Sequence, residues 1–234
     1  KTLAISAYKS SCLLAKERGA FEIHNHDKER GHPFLERIWE ADPEIYELNR
    51  KHGRRNIALT TTAPVGSVSV LTQTTSGIEP AFMLHYTRRK KLTENDIDGR
   101  VDFIDDSGDR WQEYTVYHHC FKSWMKTLDA SQRESLSDEN LVEISPYYGA
   151  TANEIDWVSK VKLQAAAQKW VCHAISNTTN LPADIDVETV KDVYMTGWEL
   201  GCKGVTVYRD GSRSGVLVSS SKEDEKDEEG ISTN

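Results

Sequence analysis

No two cysteines in this sequence sit at a C-x-x-C spacing. The four present, Cys12, Cys120, Cys172 and Cys202, lie far apart, which excludes a metal-finger arrangement and a dense disulfide framework. So sparse a set of thiols belongs in a reducing cytoplasm. No apolar run approaches the roughly 20 residues that a helix needs to cross a bilayer, and no secretory leader is visible, so no membrane partner is expected. The chain opens at Lys1 rather than Met, inside a helical pattern, and is therefore expected to be a fragment or a processed piece. Cationic excess is missing too. The formal charge is −8, and residues 222–229, with two positive and six negative side chains, account for −4 of it. A mildly acidic remainder argues against nucleic acid as the main ligand. Residues 218–234 read as a solvated, disordered acidic tail. What remains is of the size and composition of a globular protein with one good core or two small ones.

The pattern along the chain alternates helices and strands. Residues 3–17 predict a helix with Leu3, Ala7, Leu14 and Ala15 among its apolar positions and Gly19 past its end. Residues 20–32 carry His24, His26 and His32 without helical spacing, the mark of a solvated loop rather than a metal site. A second helix from Pro33 to His52, broken at Pro43, stops at Gly53. Further on, Arg88, Arg89, Lys90 and Lys91 form a basic cluster that reads as a surface stripe, and residues 100–104 and 110–118 predict a β-hairpin around Asp105-Asp106-Ser107-Gly108. Asp96, Asp98, Asp102, Asp105 and Asp106 lack the terminal Glu of a calcium loop and fit turn chemistry.

His118-His119-Cys120 invites a metal reading, but adjacent strand residues point to opposite faces, so none is assigned. A helix over 123–129 precedes a loop with a short helix over 131–150. Thr151-x-x-Glu154 has the form of a capping box ahead of a helix over 153–172, with Ile155, Val158, Val161, Ala165 and Cys172 on one face. Ser176 to Pro182 reads as a polar strand or turn. Asp186 caps a helix with Val187, Val190, Val193 and Leu200 inward and Gly201 as its stop, and 203–208 is β-prone. Helix, strand, helix, strand with short joints implies βα units around a parallel sheet, open or closed.

The chain is organised around residues 54–80. Ile57 to Thr62 predicts a short strand, ended by Ala63-Pro64 because proline lacks a ladder donor. Gly66 lets backbone approach a ligand, and Ser67 and Ser69 place hydroxyls beside freed amides. Such a strand end is either an ordinary turn or a cradle for an anion.

Three blocks resemble the C-terminal half of the adenosylcobalamin-dependent (class II) ribonucleotide reductases. The first holds Thr62-Ala63-Pro64-Val65-Gly66-Ser67-Val68-Ser69, then Ser76-Gly77-Ile78-Glu79-Pro80 and Tyr86-Thr87-Arg88-Arg89. The second runs from Lys162-x-Gln164 through Gln168 to Ile175-Ser176-x-Thr178-x-Asn180-Leu181-Pro182. The third is Glu199-Leu200-Gly201-Cys202-Lys203-Gly204-Val205-Thr206-Val207-Tyr208-Arg209-Asp210-Gly211-Ser212-Arg213. The diiron (class I) enzymes carry adjacent tyrosines after the Lys of the third block, where this chain has Thr206-Val207; a chain without that relay fits a cobalamin radical source.

The resemblance implies an α/β fold: the C-terminal portion of a ten-stranded α/β barrel of the ribonucleotide reductase large-chain type, here with a β-hairpin insertion, over residues 1–217. It implies an oxidoreductase that acts on a CH or CH2 group with a disulfide as acceptor. That enzyme, a ribonucleoside-diphosphate reductase, replaces the ribose 2′-hydroxyl with hydrogen for DNA synthesis, with adenosylcobalamin as cofactor and a thioredoxin-type reductant. The family's radical cysteine lies in an Asn-x-Cys-x-Glu pattern, and no cysteine here has those neighbours. The family's C-terminal Cys-x-x-Cys is missing too. Catalytic residues are therefore expected in a missing N-terminal half. This chain is expected to contribute substrate binding and to be inactive alone.

Ala63, Pro64, Val65, Gly66 and Ser67 match the loop that holds the substrate phosphates, with Thr62 and Ser69 as weaker candidates. Val65 stands where the family usually has Thr, which removes one hydroxyl. Cys202 is expected to pack as a small apolar residue, and Ser176, Asn180 and Arg209 to be structural hydrogen-bonders. Two other readings stay open: a non-catalytic phosphate-binding module, and an inert truncation with unpaired strand edges.

Overall fold

A computed structural model describes residues 1–93, 100–105 and 107–212. The acidic tail, the final Arg213 of the third block, and Asp96, Asp98 and Asp106 of the supposed calcium pattern lie outside the described residues. In chain order the elements are α1 (Thr2–Arg18), α2 (His26–Glu29), α3 (Pro33–Ala41), α4 (Pro43–His52), α5 (Gly66–Thr72), β1 (His85–Lys91), β2 (Phe103–Ile104) and β3 (Arg110–Tyr117). They continue with α6 (His119–Met125), α7 (Ala130–Ser135), α8 (Asp138–Glu143), α9 (Trp157–Gln168), β4 (Thr178–Leu181), α10 (Val187–Glu199) and β5 (Thr206–Arg209). The described residues fall into two units, one from 1–79 with 156–209 and one from 80–155 with 210–212.

The first unit starts from a helical platform. α1 buries Ala4, Tyr8, Ser11, Cys12 and Ala15, an i, i+4, i+7, i+8 stripe. Of the expected apolar positions Ala15 lies on it, while Leu3, 76% exposed, and Leu14 lie off it. Pro43 divides α3 from α4 as expected. Asp42 closes the first and caps the second, accepting from the Glu44 amide at 3.1 Å. Phe34, Leu35, Ile38, Trp39 and Ile45 pack on the stripe of α1. The histidine segment is not a solvated loop. It contains α2, and His26 Nδ1 meets Asn49 Oδ1 at 2.8 Å with its ring between Trp39 and Tyr46. His24 sits 3.5 Å from the Glu29 carboxylate.

The expected strand Ile57–Thr62 is reduced to one parallel bridge, Thr62 to Ile175. Its polar groups are taken elsewhere: the Arg54 guanidinium holds the carbonyls of Asn56 and Ile57, and the Cys172 sulfur receives the amides of Leu59 and Thr60. Later, β4, α10 and β5 form a parallel β-α-β unit, pairing Thr178 with Thr206 through Leu181 with Arg209. The observed fold is thus mixed α/β with a parallel element. α9 starts at Trp157 rather than 153, capped by Asp156, which accepts from the Ser159 amide at 2.9 Å. The expected capping box forms within a preceding turn, Thr151 donating from N and Oγ1 to Glu154. The buried face of α9 is Lys160, Val161, Gln164, Ala165 and Gln168, more polar than expected. On α10, Val193 and Gly197 are buried while Val187 is 81% exposed. Cys202 packs beside Val161, Leu181 and Val193, and Arg209 Nε donates to Ala183 O at 2.7 Å, both as expected.

In the second unit the hairpin acquires a third strand. β1 pairs antiparallel with β3, which also pairs with β2, giving the order β1-β3-β2. The basic cluster lies along β1, where Arg89 pairs with Glu113 at 2.8 Å and Lys91 with Asp109. α6 starts at His119, four residues before the expected helix, because Phe121 and Met125 at i, i+4 anchor it against Leu84 and Leu141. The 131–150 loop holds most of two short helices rather than one.

Candidate functional site

Thr62 is the last paired residue of its segment; its carbonyl accepts from the Ser176 amide at 3.0 Å. Ala63 and Pro64 carry the chain away, and Val65 becomes the N-cap of α5. Its carbonyl accepts from Ser69 N at 2.8 Å, and its own amide donates to Ser76 O at 2.7 Å. A helix begins at Gly66 where the sequence predicts only a turn. The N-cap residue Val65 gives no side-chain cap, so the amides of Gly66, Ser67 and Val68 have no acceptor within the helix and stand at the positive end of its dipole.

Ala63, Pro64, Val65, Gly66 and Ser67 are all exposed around this start. A Cβ added to Gly66 would find no heavy atom within 4 Å, so there is open space for a ligand. The weaker candidates divide. Thr62 is half-buried on the pairing segment, and Ser69 turns its hydroxyl back to donate to Gly66 O at 2.6 Å.

The loop after α5 is tied into the same unit. Thr75 Oγ1 donates to Gly77 O at 3.1 Å, and Glu79 Oε1 accepts from the Thr178 amide at 3.0 Å, which fixes the entry to β4. A Cβ at Gly77 would meet the Glu79 carboxylate, which would have to swing aside.

A separate cavity of about 480 Å³ opens in the same unit, lined among others by Tyr8, Glu29, Arg54, Cys172, His173 and Lys203. Arg54 is 7% exposed; it pairs with Glu29 at 2.6 Å and lies over the rings of Tyr8 and Phe21. Burial opposes ionisation of Cys172. Hydrogen bonds from the Thr60 side chain, the Leu59 and Thr60 amides and the Tyr8 hydroxyl outweigh it and bring the thiol down to about 7. The same burial pushes Cys12 up to about 11 and raises Tyr8.

Sequence reasoning placed Cys172 on a helix face and missed this environment. Its partners come from residues more than a hundred positions earlier, and no local pattern signals them.

The family model for the ribonucleotide reductase barrel domain matches residues 1–208. A vitamin B12-dependent ribonucleoside-diphosphate reductase of Mycobacterium tuberculosis (strain CDC 1551 / Oshkosh) is 31% identical over 230 residues, covering 92% of this chain and 27% of the relative. A vitamin B12-dependent ribonucleotide reductase of Rhodopirellula baltica is 29% identical over 94% of this chain and 20% of its own length. A vitamin B12-dependent ribonucleoside-diphosphate reductase of Thermoplasma acidophilum is 28% identical over 95% of this chain and 26% of its own. The chain spans about a quarter of the length of these curated relatives.

Proposed function

Because this chain belongs to the ribonucleotide reductase family through its barrel domain, we propose that it is the substrate-binding C-terminal portion of a class II, vitamin B12-dependent reductase. That enzyme converts ribonucleoside diphosphates to deoxyribonucleotides. The observation that carries the reading is the uncapped start of α5 at Gly66, exposed and free of neighbouring atoms. Backbone amides of Gly66, Ser67 and Val68 donate to the phosphate oxygens, with the Ser67 hydroxyl beside them. Ala63 and Pro64 shape the approach. Val65 offers no hydroxyl, so the backbone carries the recognition.

Adenosylcobalamin supplies the radical in this family. The cavity of about 480 Å³ suits a drug-sized molecule, not a corrin bearing a nucleotide and an adenosyl arm. This cavity is therefore not where the cofactor would sit. The radical and redox cysteines are placed in upstream polypeptide, which completes the ten-stranded barrel. Val68, Val70 and Leu71 of α5 are 53%, 80% and 84% exposed, an apolar face that a completed barrel would cover. Such an enzyme works in the cytoplasm with a thioredoxin-type reductant.

The test joins this chain to the upstream polypeptide and adds adenosylcobalamin and a dithiol. Deoxynucleotide should form from the joined polypeptide and not from the chain alone. Gly66→Trp in the joined polypeptide should abolish nucleotide binding while its circular dichroism is unchanged. Unaltered binding by that variant would remove the cradle, and no turnover by the joined polypeptide would remove the enzyme reading.

A further inference from the structure

His118, His119 and Cys120 stand where β3 ends and α6 begins, outside the site described above. On a continuing strand their side chains would alternate between faces. Here the chain turns: His118 is the extended N-cap of α6 (φ −56°, ψ 133°), and His119 is its first helical residue. The turn converges the three side chains, and one ligand atom from each lies within 4.8 Å of the others. Cys120 Sγ is 3.1 Å from His119 Nε2, and the two imidazole rings are 4.8 Å apart at their centroids.

The backbone that carries them is pinned on both sides. His118 N donates to Leu84 O at 2.7 Å, and His118 O accepts from Lys122 N at 2.8 Å. The next residue, Phe121, is fully buried against Leu84, Met125 and Leu141. All three side chains are half-buried, shielded on one side and open to water on the other.

Two imidazole nitrogens and one thiolate are a donor set for a borderline-soft divalent ion. Around a tetrahedral ion with Zn–N of about 2.0 Å and Zn–S of about 2.3 Å, neighbouring ligand atoms lie roughly 3.3–3.6 Å apart. The Cys120–His119 pair, at 3.1 Å, already lies near that edge, and side-chain rotation brings the third ligand in. We propose that His118, His119 and Cys120 form a three-ligand site for a zinc-class cation, with water in the fourth position. On binding, one sulfur–metal bond and two nitrogen–metal bonds form, the Cys120 S–H gives its proton to solvent, and no electron is transferred.

Cobalt(II) titrated into the intact chain tests this, because a cobalt–thiolate bond absorbs in the near ultraviolet and a tetrahedral ion in the visible. One equivalent should saturate both absorptions, and zinc(II) should displace them. Cys120→Ser should erase the thiolate band, and His119→Gln should weaken cobalt binding at least tenfold. Cys172→Ser and Cys202→Ser should leave the spectrum as it was. A missing thiolate band, or one that survives Cys120→Ser, would overturn the site.

Alkylation of the unaltered chain gives a second reading that does not depend on any variant folding. Zinc(II) should protect Cys120 from iodoacetamide, read by peptide mass. Equal labelling with and without zinc would overturn the proposal as well.

Discussion

Thr60 and Cys172 hold each other through three hydrogen bonds, one of them from the Cys172 thiol to the Thr60 carbonyl at 3.1 Å. The Cys172 amide donates to Thr60 Oγ1 at 3.0 Å, and the Thr60 amide donates to Cys172 Sγ at 3.2 Å. The Leu59 amide reaches the same sulfur at 3.2 Å. The clasp favours thiolate, so alkylation of Cys172 should rise with pH through an inflection near 7. Thr60→Val should move that inflection toward the alkaline value of an ordinary cysteine. Because the folded value lies below the unfolded one, the unfolded chain binds the extra proton between the two. The clasp's stabilisation is therefore present above about pH 9 and lost as pH falls through about 7. The urea midpoint should show this slope in the native chain and lose it in Cys172→Ser.

Tyr117 donates its hydroxyl to both carboxylate oxygens of Asp138, at 2.9 and 3.0 Å. Burial, then the hydrogen bond and charge of Asp138, push Tyr117 up to about 12. Ultraviolet titration should show Tyr117 titrating late together with the buried Tyr8, and Asp138→Asn should return Tyr117 alone toward the others. Here the folded state keeps the proton longer, so this contribution is intact below about pH 10 and is lost between about pH 10 and 12. Tyr117→Phe should cost about 1 kcal/mol at neutral pH, read from the urea midpoint.

Gln164 is completely buried and serves two partners. Its Nε2 donates to Gly204 O at 2.6 Å, and its Oε1 accepts from Asn177 Nδ2 at 2.8 Å. Gln164→Leu takes this partner from the Gly204 carbonyl and leaves the buried Asn177 amide unpaired. The expected loss is about 2–4 kcal/mol, measured by chemical denaturation. Asn177→Ala frees only one partner and should cost less.

Gly77→Ala forces the Glu79 carboxylate to move and releases its bond to Thr178 N. The carboxylate can swing aside, so the stability loss should be only about 1 kcal/mol. If the loop after α5, through its bond to the entry of β4, positions the phosphate cradle, nucleotide affinity of the whole enzyme should fall more than stability does. Calorimetric binding beside a thermal melt separates the two.

The legible parts of the fold were those that local chemistry decides. Pro43, Gly53, Asp186 and Gly201 mark helix ends by backbone rules that need no tertiary partner, and each stands where those rules put it. Faces were harder to read. Leu3 and Val187 are apolar and exposed, while Gln164, Lys160 and Asn49 are polar and buried. A polar group is tolerated inside when a distant segment supplies its partner. Gln164 meets Gly204 forty residues later, and Lys160 meets the Asn180 carbonyl twenty residues later.

The same holds for the candidate site. Small residues at 62–69 predict either an ordinary turn or a cradle for an anion. The helix start at Gly66 depends on Val65 reaching Ser76 O, a bond that no periodicity encodes. At His118–Cys120 the strand rule failed because the buried Phe121 and Met125 start α6 early.

The pairing of residues 59–62 with 172–176 also bears on how the chain is made. Leu59 leaves the ribosome more than a hundred residues before the cysteine that will receive its amide. Throughout that interval α1 to α4 can pack together and take Leu59 against their core, but the Leu59 and Thr60 amides still lack the sulfur that receives them, and loop closure over that span is slow. During synthesis the nascent chain would therefore emerge with these amides unpaired, a natural point for a chaperone to hold it.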